Sequence, residues 1–382
     1  MGVVRLKSGP VGLLRALSAR QQVGQLLWVG FDGTSLTPSL ARFLGEVGPG
    51  GIILFGRNLT DDPRQVRRLT DALYRAVPVP PFLALDQEGG RVSRLRAIMG
   101  PTSTAASLAA RGDASRSVRR HAEATALALK SLGFNVNFAP VLDLSTQAAA
   151  NGIGDRAFGE NPRTVALLAG QFAAAHLSAG VIPVGKHFPG LGGALADTHQ
   201  TLPVIRRTRP QLFRQDLLPY RRLRHVLPIV MIGHAAYPAL QSRVDQPASL
   251  APAIVTALLR RRLGYRGLVL TDDLEMGAID QSLDGGALAI AALKAGNDGL
   301  MFCRSADRIQ TAAEALERAV RDGSIPTEVL RESLRRIHAT KRRYLLGRRR
   351  ARYSKGILAT ARALMASLTP ASASGVDPTA RD

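Results

Sequence analysis

The chain of 382 residues contains a single cysteine, Cys303. That excludes an internal disulfide framework and any cysteine-based metal cluster. Acidic residues are scarce beside basic ones, 29 against 51, which gives a formal net charge of +22. Long hydrophobic runs are missing, and no stretch approaches the ~18 apolar residues that a membrane span requires. The apolar patch Val11-Gly12-Leu13-Leu14 ends at Arg15 and is too short for a signal-peptide core, so a cytoplasmic location is expected. Leu6 stands where a myristoylation signal requires Ser or Thr. No phosphate-binding loop of the Gx4GK[ST] type occurs, and Gly89-Gly90 lacks the spacing of a dinucleotide fingerprint. No His/Cys/Glu set has zinc-like spacing, so no metal is expected.

The basic excess gathers in Arg206-Arg207-Thr208-Arg209, Arg221-Arg222-Leu223-Arg224, Arg260-Arg261-Arg262 and Arg348-Arg349-Arg350-Ala351-Arg352. Such charge can attract a polyanion. No aromatic-interleaved basic motif accompanies it, so the reading is a solvated arginine-rich surface and not a nucleic-acid partner.

Eight short apolar runs are present: Gln25–Gly30, Gly51–Phe55, Pro81–Leu85, Val136–Leu142, Val181–Gly185, Pro228–Ile232, Gly267–Leu270 and Asp298–Phe302. Continuous apolar runs suit parallel strands covered on both faces. Amphipathic stretches separate most of them, including Pro63–Ala76, Ser117–Leu132, Pro162–Ala179, Pro210–Arg224 and Ala306–Arg321. The alternation predicts a single (β/α)8 TIM-type barrel, with a doubly wound open sheet as the runner-up. The expected organisation is an extension over 1–17, a catalytic domain over 18–346 closed by a helix at Thr327–Leu345, and a basic, fraying tail over 347–382.

Polar residues terminate successive runs. Asp86-Gln87-Glu88 ends the third, Asp143 the fourth, Lys186-His187 the fifth, Gly233-His234 the sixth and Thr271-Asp272-Asp273 the seventh. In a barrel these ends converge on one face, where active sites lie. Asp197-Thr198-His199 adds a carboxylate two residues from an imidazole, a pair able to carry a proton. A carboxylate opposite a proton donor suits glycoside cleavage.

These residues carry a resemblance. The segments Asp86–Arg91, Asn137–Asp143, Asp155–Phe158, Lys186–Gly190, Asp197–His199 and Thr271–Met276 resemble, in order, the catalytic domain of glycoside hydrolase family 3. The branch they resemble is the bacterial β-N-acetylglucosaminidases of peptidoglycan recycling, over roughly residues 18–345. The resemblance implies Asp272 as nucleophile and His199 as acid/base with Asp197 as its orienting partner. It implies Asp86, Arg94, Arg156, Lys186 and His187 as ligands of the sugar. His234 is included as a further sugar ligand, with a strand-end cap as the equal alternative. Asp143 is read as structural or substrate-binding with equal weight, Glu88 as structural, Cys303 as core, and Asp273 as the lesser alternative nucleophile. The implied activity is a retaining β-N-acetylhexosaminidase acting on N-acetylglucosamine-containing carbohydrate, without cofactor. Leu191-Gly192 departs from the His-Gly usual in the family. Alternatives are a phosphorylase of the same family, a β-glucosidase, for which the tail is too short to supply the usual second sandwich domain, and a non-catalytic binder of cell-wall fragments or polyanions.

Overall fold

The computed structural model describes residues 17–145 and 151–369. The eight apolar runs form eight parallel barrel strands: β1 (Leu27–Val29), β2 (Gly51–Ile53), β3 (Phe82–Leu85), β6 (Val136–Asn137), β7 (Ile182–Phe188), β8 (Ile229–Ile232), β9 (Leu268–Asp273) and β10 (Gly299–Phe302). Two further strands, β4 (Gln87–Gly89) and β5 (Val92–Ser93), form an antiparallel hairpin after β3. The barrel closes where β1 pairs with β10 in the register Leu27↔Leu300, Trp28↔Met301, Val29↔Phe302. The sheet is therefore closed, and the open doubly wound alternative does not hold.

Trp28 fills the barrel interior, stacked on Phe82 at 5.0 Å between ring centroids. Room for the indole comes from Gly51, where a Cβ would sit 2.4 Å from the Trp28 ring. The outer layer includes α1 (Pro38–Val47), α2 (Pro63–Ala76), α3 (Ala114–Ser131), α4 (Pro162–Ala179), α5 (Arg209–Arg214), α6 (Leu217–Leu223), α7 (Ala253–Arg262, wound as a π-helix), α8 (Gly285–Ala295), α9 (Ala306–Arg321) and α10 (Thr327–Tyr344). Many start where the sequence supplies a side-chain cap. Asn161 Oδ1 accepts from the Arg163 and Thr164 amides, and the next residue, Pro162, needs no partner for an N–H it lacks. The single helix expected over Pro210–Arg224 is two, α5 and α6, broken at Gln215 (φ −112°, ψ −87°).

Order does not end at Gly347. A last helix, α11 (Lys355–Ala366), buries Leu358, Ala361 and Met365. Arg362 Nε donates to the Ile98 carbonyl, and Ser103 Oγ donates to the Leu368 carbonyl at 2.7 Å. The expectation of a fraying tail is thus corrected for residues 355–366, because apolar side chains at helical spacing give the segment a face to bury. Residues 1–16 and 370–382 lie outside the described residues. No helix among the described residues is long and apolar enough to cross a membrane.

Candidate active site

The C-terminal ends of the barrel strands surround a cavity that opens to solvent. Asp86, Arg94, Arg156, Lys186, His187, Asp197, His199 and Asp272 all line it. Eight of the nine residues expected in catalysis or sugar binding are therefore brought together.

One wall is an ion-pair network between β3 and β7. Lys186 Nζ lies 2.6 Å from both Asp86 Oδ1 and Glu88 Oε1. Arg156 Nε and Nη2 donate to the two oxygens of Glu88 at 2.8 Å each, a bidentate fork. Burial acts to raise the Glu88 carboxyl, but the charges of Arg156 and Lys186 outweigh it and hold the group well below the ordinary carboxylate range. Glu88 consequently fixes two cations, while Asp86 and Arg94 (3.9 Å between Nη2 and Oδ2) face the cavity. The segment bearing these acids is gripped from behind. Asn137 Oδ1 accepts from the Gln87 amide at 3.0 Å, and its Nδ2 donates to the Gln87 carbonyl at 2.9 Å.

Asp143 is an anchor. Its carboxylate accepts from the backbone amides of His187 (3.2 Å) and Leu191 (2.7 Å) and lies 2.6 Å from His187 Nδ1. Thus the Asp143 carboxylate fixes the imidazole orientation and the start of the loop that follows β7.

On that loop His199 Nδ1 lies 2.7 Å from Asp197 Oδ1, which also accepts from the His199 amide at 2.9 Å. Burial pushes the Asp197 carboxyl up, and the His199 side-chain and backbone bonds more than offset this, so it is held below its ordinary value. With Nδ1 engaged, Nε2 is the imidazole atom left for proton exchange. Across the cavity, one Asp272 oxygen accepts from the Asp273 amide at 2.9 Å. Burial raises the Asp272 carboxyl, but the imidazoles of His187, His234 and His199 together with the Asp273 amide more than offset it, and the net direction is down. Asp272 is therefore kept ionised. Asp273 Oδ1, by contrast, accepts from the Glu275 amide at 3.0 Å, fixing the turn beyond β9.

The exception is His234. It is fully buried, with Nδ1 2.8 Å from Ser249 Oγ and Nε2 2.9 Å from the Asp273 carbonyl. It does not line the cavity. Of the two readings weighed equally for it, these contacts fit the strand-end cap, since the ring turns toward β9 and supports the strand end that carries Asp272. Cys303, expected in the core, is buried but lines the cavity floor. Sequence reasoning also missed Asn151, Ile153 and Thr198 in the lining. Thr198 lies inside a segment already singled out, whereas Asn151 carries no periodic or charge signal. Among the described residues, no group of three or more His, Cys, Asp or Glu side chains is placed to hold a metal ion.

Comparison with known proteins agrees with this geometry. A β-hexosaminidase of Pseudomonas aeruginosa is 36% identical over 292 residues, spanning 76% of this chain and 86% of that protein. The β-hexosaminidase of Thioalkalivibrio sulfidiphilus is 37% identical over 325 residues, 81% of this chain and 88% of its own. The solved structure of a glycoside hydrolase family 3 β-N-acetylglucosaminidase from Paenibacillus sp. superposes with a TM-score of 0.85 at 34% identity, covering 92% of this chain and 68% of that one. A β-N-acetylhexosaminidase from Beutenbergia cavernae gives 0.77 at 29% identity, covering 85% and 98%. The family model described as the glycosyl hydrolase family 3 N-terminal domain matches residues 18–340, and the chain belongs to that family of glycoside hydrolases.

Proposed function

We propose that the protein is a retaining β-N-acetylhexosaminidase that releases terminal, non-reducing β-linked N-acetylglucosamine, with cytoplasmic muropeptide-derived sugars as its physiological substrates. The observation that supports this most is that Asp272 and the Asp197–His199 pair, carried on different segments, line one cavity. The names of the similar proteins support the sugar class.

In the first step an Asp272 oxygen bonds to the anomeric carbon while the bond from that carbon to the leaving oxygen breaks. His199, protonated at Nε2, gives its proton to that oxygen. In the second step the neutral Nε2 takes a proton from water, whose oxygen bonds to the anomeric carbon as the ester to Asp272 breaks. Asp197 stabilises the imidazolium and fixes the ring. A histidine suits both roles because its unperturbed pKa of ~6.5 lies close to neutral pH. It also places no second fixed negative charge beside Asp272. Asp86 is the acceptor for sugar hydroxyls, and Arg94, Arg156 and Lys186 are donors for sugar oxygens and the acetamido carbonyl.

Proton NMR of the sugar first released from a 4-nitrophenyl β-N-acetylglucosaminide tests the stereochemistry. The β-anomer appearing first supports retention, and the α-anomer first contradicts it. For the substrate, the specificity constant on a disaccharide of N-acetylglucosamine and anhydro-N-acetylmuramic acid is expected to exceed that on chitobiose. The reverse order would remove the muropeptide assignment.

A further inference from the structure

The loop bearing Asp197 and His199 docks by its own backbone onto the turn that follows the nucleophile strand. The Ala278 amide donates to the Thr198 carbonyl at 3.1 Å, and the Gly277 amide donates to the His199 carbonyl at 3.3 Å. A Cβ on Gly277 would stand 2.6 Å from the His199 carbonyl oxygen and 2.8 Å from that of Gln200. Gly277 is solvent-exposed, and its φ is not in the left-handed region. Neither burial nor backbone conformation therefore demands glycine at this position; the approach of the loop does.

The turn is the firmer of the two partners. Asp273 Oδ1 accepts from the Glu275 amide at 3.0 Å, and the Met276 amide donates to the Asp273 carbonyl at 3.0 Å. The Glu275 carboxylate accepts in turn from the amides of Arg304 (2.7 Å) and Ser305 (3.0 Å) beyond β10. The loop is held at its start by the Leu191 amide on Asp143 and by Tyr237, whose hydroxyl donates to the Gly190 carbonyl at 2.8 Å. Between that start and its return at Val204, Gly277 and Ala278 tie the backbone of Thr198 and His199 to the barrel rim. The segment that begins with Asp272 thus also sets the position of His199.

We propose that Gly277 is a positioning residue, a side-chain-free latch that holds the imidazole of His199 at the distance from Asp272 needed for protonation of the leaving group. The proposal rests on His199 being the acid. A methyl group at position 277 would lift the Thr198–Gln200 segment away from the rigid turn and leave Asp272 in place. The defect would then appear only where the leaving oxygen needs a proton. General acid catalysis is worth ~10²–10⁴-fold on such leaving groups and far less on activated ones.

The test is kcat/KM for Gly277→Ala, His199→Ala and wild type on 2,4-dinitrophenyl, 4-nitrophenyl and phenyl β-N-acetylglucosaminides, with thermal melts of all three proteins. The expected result is a Gly277→Ala loss that grows by about tenfold or more from the dinitrophenyl to the phenyl substrate, in the same direction as His199→Ala. A graded loss in His199→Ala with an even or absent loss in Gly277→Ala would overturn the latch alone. An even loss in His199→Ala would remove the acid assignment, and the latch with it. Failure of Gly277→Ala to fold would also overturn it, because the only predicted cost is a displaced surface loop. Ala278→Pro, which deletes the other latching N–H, should reproduce the gradient; its absence in a folded Ala278→Pro protein counts against the latch.

Discussion

At the residue scale the site depends on which groups are held charged and by what. Glu88 sits between Arg156 and Lys186, all three nearly excluded from solvent. Removing one partner of a buried ion pair leaves the others uncompensated and costs about 3–5 kcal/mol. Glu88→Gln should lose stability on that order in urea denaturation and should raise KM through Arg156 and Lys186. The depressed Glu88 carboxyl also contributes stability that is present above the unfolded-state pKa of ~4.3 and is lost as pH falls below it. The variant should therefore show a shallower acid-side decline in stability than wild type, and equal declines would show that Glu88 is not the linked group. The charged site residues were legible because strand ends announced them. His234 shared that signal, yet its ring turned into Ser249 and the Asp273 carbonyl, a rotation that strand position does not encode.

At the scale of elements, the eight barrel strands could be read because each carries a continuous apolar run, as burial on both faces requires. The hairpin β4–β5 could not. Its strands are two or three residues long, and its turn depends on Gly89 (φ 109°) and Gly90 (φ 60°) and not on any apolar pattern. Helix α11 was hidden between arginines and a Ser/Thr/Pro-rich stretch that together dominate local composition. Deleting residues 355–382 should expose surface now covered by Leu358 and Met365. At ~1.5–3 kcal/mol for each large apolar side chain buried, the loss should be several kcal/mol of unfolding free energy. An unchanged denaturation midpoint would show that the helix only rests on the barrel.

For the whole molecule, one end of the barrel is open and the other is closed. The C-terminal end holds charges in compensated networks and leaves a cavity. The opposite end seals the core with Lys341 of α10, fully buried, whose Nζ donates to Gln25 Oε1 at 2.8 Å and lies 5.1 Å from the Phe82 ring centroid. Burial lowers this amine to about 7. A base depressed in the folded state binds fewer protons there than in the unfolded chain. The wild type should thus gain stability as pH rises from about 7 toward the unfolded lysine value of ~10.4. Lys341→Met should flatten that rise in thermal melts between pH 7 and 10, whereas an unaltered slope would place the linkage elsewhere. The single closed barrel was legible at this scale from the repeated alternation, while the sealing role of Lys341 was not, since a lysine in an amphipathic helix reads as surface.

The central claim is that Asp272 attacks the anomeric carbon of an N-acetylglucosaminide and that water resolves the product. Its most direct test is nitrophenol release from 4-nitrophenyl β-N-acetylglucosaminide by wild type and Asp272→Ala, with and without phosphate. The expected result is turnover by the wild type that phosphate does not change, and a fall of about 10⁴-fold or more in the variant. An Asp272→Ala protein that retains wild-type turnover, or a wild type that needs phosphate and yields the sugar 1-phosphate, would contradict it.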